Sequence, residues 1–174
     1  TWKSRGLGDV YKRQGLGIDA VSSNEIKHCV ELGFNSKDVV FAGVGKSDLE
    51  IEYAIKKNIS YFNAESIQEI EVIDAISNKL SKRTNVSIRI NPNIKTETHK
   101  KIQTGSSDDK FGIDLNDLSY IPKLNNLENI RITGIHFHIG SQLINLKPFN
   151  ELCEISNDVL SYLKENGLKI KNIN

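Results

Sequence analysis

Residues 134–143 read GIHFHIGSQL, Gly134-Ile135-His136-Phe137-His138-Ile139-Gly140-Ser141-Gln142-Leu143, and this stretch decides the fold class. Side chains of a strand alternate between faces, so Ile135, Phe137 and Ile139 share an apolar face and His136 and His138 share the opposite one. An apolar outer face and a polar inner one is the pattern of an α/β-barrel strand near its active site, which lies at the carboxyl ends of the strands. His138 is therefore the first candidate for chemistry. Two other readings of the pattern stay open: a pair of hydrogen-bonded core histidines, and a His-x-His strand end that ligates a metal.

The sequence on either side supports a strand embedded in a repeating βα pattern. Downstream, 147–166 has the spacing of a long helix with Phe149, Leu152, Ile155, Val159, Leu160 and Leu163 inward, and 169–174 begins another strand. Upstream, short apolar strands are expected at 18–21, 39–43, 60–63 and 86–90, each followed by a turn. Helices are expected over 22–33, with a serine cap and Gly33 as its stop, over 47–57 capped by Ser47, and over 67–80 with Ser66 and Glu69 as a capping box. The apolar positions of the first two are Ile26, Cys29 and Val30, then Leu49, Ile51, Ala54 and Ile55. One long irregular connection, 91–112, precedes a short helix around 117–124.

Strands alternating with helices at this spacing predict a parallel sheet, either open and doubly wound or a barrel. Polar residues recurring at strand ends favour the barrel: Asp19, Asn63, Arg89 with Asn91, and His136 with His138. Arg89, between Ile88 and Ile90, must be paired or bind an anion if it is buried. With 174 residues the chain is short of the roughly 250 of a closed eight-unit barrel. Lys and Arg total 23 against 22 Asp and Glu, a formal net charge of +1, which argues against nucleic-acid or membrane binding driven by bulk charge. Cys29 and Cys153 have no CxxC spacing and fit reduced, packed thiols. No apolar run of about 18 residues and no signal-peptide pattern occurs, so a cytoplasmic protein is expected. Residues 1–14, TWKSRGLGDVYKRQ, lack periodicity and resemble translated sequencing-adapter read-through; they are set aside as a non-native segment, with the partial barrel domain running over 15–174.

The motifs IDAVSSNEI (18–26), FAGVGKSD (41–48), FNAES (62–66), RINPN (89–93), TGSSDDKFGI (104–113) and GIHFHIGSQL occur in the order seen in diaminopimelate decarboxylases, and the resemblance covers 15–174. It implies part of an alanine-racemase-like (β/α)8 barrel, about strands 2 to 7, that binds pyridoxal 5′-phosphate. It also implies decarboxylation of meso-2,6-diaminoheptanedioate to L-lysine by a homodimer with an amino-acid substrate and no resident metal. By position, His138 resembles the imidazole stacked on the cofactor ring, and Ser141 the hydroxyl on its phosphate, with Gly140 letting the backbone approach. Arg89 resembles the arginine near the cofactor's phenolic side, and Asp19 and Glu25 the acidic pair near the Schiff-base lysine. Lys110 resembles a lysine toward the active-site mouth or dimer interface. No lysine here matches the Schiff-base lysine, and no β-rich C-terminal domain is visible, so the chain reads as a piece of the barrel, inactive in isolation. The alternatives are a related ornithine, arginine or carboxynorspermidine-type decarboxylase, and a metal-dependent barrel hydrolase using His136 and His138.

Overall fold

In the computed structural model the described residues are 14–94, 111–141 and 143–174. Of residues 1–14, only Gln14 is therefore among them, and Lys110 lies outside them. The chain divides into two compact units, Thr1–Phe62 and Asn63–Asn174.

The first unit contains β1 (Ile18–Ala20), α1 (Ser23–Glu31), a 3-10 turn (Ser36–Asp38), β2 (Val39–Phe41), α2 (Asp48–Lys57) and the start of β3 (Tyr61–Ala64). The three strands pair in parallel, with Ile18 opposite Val39 and Phe41 opposite Phe62. Ala20, Ile26, Val39, Phe41, Ile51, Ala54, Ile55 and Phe62 are buried, and the Phe41 and Phe62 rings pack 5.7 Å apart. Helix α1 starts where the Ser22 hydroxyl accepts from the Glu25 amide at 3.2 Å. It stops at Gly33, where the Gly33 and Phe34 amides bond back to the Val30 and Cys29 carbonyls, the paired closing bonds of a Schellman motif. Glu50 ties the starts of both helices: one carboxylate oxygen accepts from the Ser23 amide at 3.1 Å, the other from the Ser47 amide at 3.1 Å. Leu49, expected inward, is 80% exposed, because it occupies the outer side of the first turn of α2.

The second unit holds the rest of β3, then α3 (Ile67–Lys79), β4 (Thr84–Asn91), β5 (Ile113–Asp114), a 3-10 helix (Leu115–Asn126), β6 (Ile130–His136), α4 (Lys147–Glu165) and β7 (Asn172–Ile173). Strand β4 pairs in parallel with β5 and with β6, and β6 pairs with β7. Val86, Ile88 and Ile90 are fully buried on one face of β4, while Ser87, Arg89 and Asn91 are buried on the other. Burial on both faces is what helices covering a parallel sheet produce.

Several expectations change here. Strand β6 ends at His136, so His138 lies in the following loop and not on the strand. The segment expected as a short helix is a 3-10 helix containing Pro122, which has no amide to donate and obstructs an α-helical turn. Strand β5 was not foreseen, since two residues carry no periodic signal. Glu69 reaches the Glu65 amide at 2.7 Å, while its own amide bonds the Ser66 hydroxyl, so the box closes one residue early. On α4, Phe149 is 42% exposed and Pro148 is buried in the first turn instead, with Val159 and Leu163 inward as expected. Both cysteines are free, but Cys153 is exposed rather than packed.

Candidate cofactor site

One irregularity in the β4–β6 ladder decides which polar residues of the second unit stand together. Val86 pairs with Ile132, but Ser87 pairs with Gly134, which leaves Thr133 as an extra residue in β6. A one-residue slip exchanges the faces of a strand. Without it Arg89 would lie opposite Ile135; with it Arg89 lies opposite His136, and register partners in a parallel ladder project to the same face. The cation and the imidazole thus stand side by side at the carboxyl ends of their strands.

Arg89 is buried and paired, as a buried arginine requires. Its Nη1 donates to Glu65 Oε2 at 2.8 Å, with side-chain exposures of 10% and 8%. Its guanidinium also lies 5.8 Å from the centre of the Phe111 ring. Gly112 permits this packing. Its φ of +88° is in the region that disfavours other residues, and a Cβ there would stand 3.1 Å from the Asn91 amide nitrogen and 3.2 Å from Arg89 Cγ. Beyond β4 the chain turns at Asn93, whose amide donates to Asn91 Oδ1 at 3.0 Å and whose side chain donates to Asp114 Oδ2 at 3.3 Å. The ends of β4 and β5 are therefore cross-linked beside Arg89.

His136 is buried and His138 is exposed. Ile135, Phe137 and Ile139 are all buried as expected, but His136 between them is buried too, so only His138 of this run is exposed. Gly140 has φ +116°, and the exposed Ser141 follows it. That φ is one that residues with a Cβ rarely adopt, so glycine is what this turn requires.

Asp19 and Glu25 belong to the first unit. Asp19 holds its proton more tightly than an ordinary aspartate: loss of surrounding water raises its pKa, the Glu25 carboxylate raises it further, and the Lys46 ammonium opposes them. Glu25 Oε2 accepts from the Val21 amide at 2.7 Å. Lys46 donates to the Gly43 carbonyl at 2.7 Å and lies 5.6 Å from the Phe41 ring centre. Sequence reading gave Lys46 no part in this cluster and did not assign Glu65. An acid directly after β3 was the available signal for Glu65; nothing local marked Lys46.

A family profile described as "Pyridoxal-dependent decarboxylase, pyridoxal binding domain" matches residues 3–174. The chain belongs to the pyridoxal-dependent decarboxylases. It is 38% identical over 166 residues to a diaminopimelate decarboxylase of Bacteroides thetaiotaomicron, covering 95% of this chain and 43% of that protein. A crystal structure of Helicobacter pylori diaminopimelate decarboxylase complexed with L-lysine superposes with a TM-score of 0.89 at 33% identity, over 96% of this chain and 43% of that one. The M. jannaschii diaminopimelate decarboxylase in co-complex with L-lysine gives 0.85 at 35%, over 96% and 39%. The chain thus spans about two fifths of the length of the curated relatives it matches. Its fold is that of part of the (β/α)8 barrel of this decarboxylase family, and the family's cofactor is pyridoxal 5′-phosphate. Among the described residues no group of three or more His, Cys, Asp or Glu could hold a metal ion, so the hydrolase reading of His136 and His138 gains no further ligand. No helix among them is long and apolar enough to cross a membrane.

Proposed function

We propose that the protein carrying this chain is a decarboxylase that uses pyridoxal 5′-phosphate to convert meso-2,6-diaminoheptanedioate to L-lysine and carbon dioxide. The observation that carries the reading is the likeness to diaminopimelate decarboxylases, which runs through 96% of the chain at 33% identity. The donor set on the second unit fits the cofactor. A flat aromatic heterocycle with a phosphate calls for an exposed ring to cover it, a close backbone and a hydroxyl for the phosphate, and a fixed cation; His138, Gly140 with Ser141, and Arg89 offer these in turn. When bound, the cofactor supplies an electron sink for the pair left behind as the carboxyl group departs.

The chain's own residues hold and orient. The imidazole of His138 covers the ring and excludes water from one face. The Ser141 hydroxyl donates to the phosphate, and Gly140 lets the backbone come close. Glu65 fixes the Arg89 guanidinium, which cannot then swing toward solvent. In the first unit, Asp19 and Glu25 serve as the acidic pair toward the lysine that anchors the cofactor; the raised pKa of Asp19 supports a carboxyl able to hold a proton. The same reading carries a homodimer in the cytoplasm, with Lys110 toward the dimer interface or the mouth of the site.

The test compares carbon dioxide release by the intact protein from meso-2,6-diaminoheptanedioate, ornithine and arginine, alongside cofactor dissociation from His138→Ala, His138→Phe and His136→Phe. Turnover of diaminoheptanedioate is expected to dominate. Cofactor retention is expected to fall in His138→Ala and recover partly in His138→Phe, because ring-on-ring contact contributes about 0.5–1.5 kcal/mol beyond area. Preference for ornithine would sink the substrate assignment. Normal retention in His138→Ala with loss in His136→Phe would mean that the wrong histidine has been assigned.

A further inference from the structure

At the opposite ends of the same strands, the second unit has a cavity of about 290 Å³ lined by Arg83, Arg131, Lys169, Lys171 and Thr133 among others. Arg83 directly precedes β4, Arg131 is the second residue of β6, and Lys169 and Lys171 precede β7. The cavity is thus at the amino-terminal ends of the strands, away from the carboxyl ends where His136 and Arg89 stand. Among the described residues its lining contains no Asp or Glu. In a chain of net charge +1, bringing these cations to one acid-free cavity is an electrostatic concentration that an anion would relieve.

The β6 bulge lies in the cavity wall. Thr133 is the extra residue of the β6 bulge, it is only 6% exposed, and its hydroxyl meets no hydrogen-bond partner. That hydroxyl is sealed from solvent, so Thr133 meets the cavity through its other atoms. The Thr133 carbonyl is already taken, accepting from the Lys171 amide at 2.7 Å, which binds the cation-bearing segment 169–171 to the bulge. Two arginines in one lining also favour an oxyanion, since the guanidinium fork matches phosphate geometry.

The geometry points to an anion-binding site for a phosphate-class oxyanion at this cavity, separate from the proposed cofactor site. The bulge that brings His136 beside Arg89 also places Thr133 in this cavity wall. Occupancy is therefore expected to restrain the β4–β6 register on which the other end depends.

The experiment is hydrogen exchange of the intact protein, read by mass spectrometry, with inorganic phosphate or pyrophosphate titrated against sodium chloride at matched ionic strength. Saturable protection is expected in peptides covering 130–134 and 167–172. The double variant Arg131→Gln/Lys171→Gln is expected to weaken it at least about tenfold, given the strength of charge-assisted hydrogen bonds, while Lys57→Gln in the first unit leaves it unchanged. Three results would overturn the assignment: no saturable protection, equal protection by chloride, or protection confined to 138–141. The last would place the anion at the proposed phosphate position of the cofactor, and would leave the decarboxylase reading standing.

Discussion

Replacing Glu65 by Leu tests whether the Arg89–Glu65 pair organises the second unit's site. At 2.8 Å the gross attraction of the two charges is about 6 kcal/mol at an effective dielectric of roughly 20. Most of it is offset by the water both groups gave up on burial, so the net contribution of the pair is far smaller. Removing one partner is different, because the other stays buried after losing its opposite charge, at a cost of about 3–5 kcal/mol. That is a large part of the 5–15 kcal/mol or so that holds a typical domain together. Glu65→Leu and Arg89→Met are each expected to fall in that range, and the double variant to cost less than either alone. Urea unfolding of the intact protein, followed by circular dichroism, gives the stabilities from midpoint and slope, and the double-mutant cycle isolates the coupling. If each single change costs under about 1 kcal/mol, as exposed pairs do, or if the two costs simply add, the pair is not the anchor described.

In the first unit, Glu50→Ala removes a carboxylate that accepts from both helix starts and is expected to cost about 1–2 kcal/mol, seen as faster hydrogen exchange in 23–31 and 48–57. The bonds from the Ser23 and then the Ser47 amides hold the Glu50 pKa below its ordinary value. Its stabilisation is therefore fully present above about pH 4.3, the unperturbed value, and is lost as pH falls through the lower folded value. A gap between wild type and Glu50→Gln that persists unchanged well below that pH would contradict the linkage. Gly112→Ala is expected to cost about 1–3 kcal/mol, from a left-handed φ and a Cβ 3.2 Å from Arg89 Cγ. A variant as stable as wild type, with unchanged cofactor retention, would show that β4 and β5 do not need this close approach.

Local chemistry made much of this chain legible in the sequence. A serine cap for α1, the Ser47 cap of α2 and the Gly33 stop follow from groups within a few residues of one another. The burial of Ile135, Phe137 and Ile139 likewise follows from their apolar side chains. The ordered motifs then pointed to the decarboxylase family that the comparisons show. The two residues of β5, the outward turn of Phe149 and the end of β6 at His136 were not legible, because each depends on what a neighbouring element leaves available.

Arg89 shows where the boundary lies. Its place between Ile88 and Ile90 required a partner if it was buried, but which partner depended on how β3 and β4 ended beside each other, and the acid proved to be Glu65, 24 residues upstream. Whether Ile135 or His136 would stand opposite Arg89 depended on the single extra residue at Thr133, and no pattern within β6 marks that position. Register is a property of two strands, settled by the packing of both faces at once, so the sequence of either strand specified which residues were polar and only their pairing in the folded chain decided which of them met.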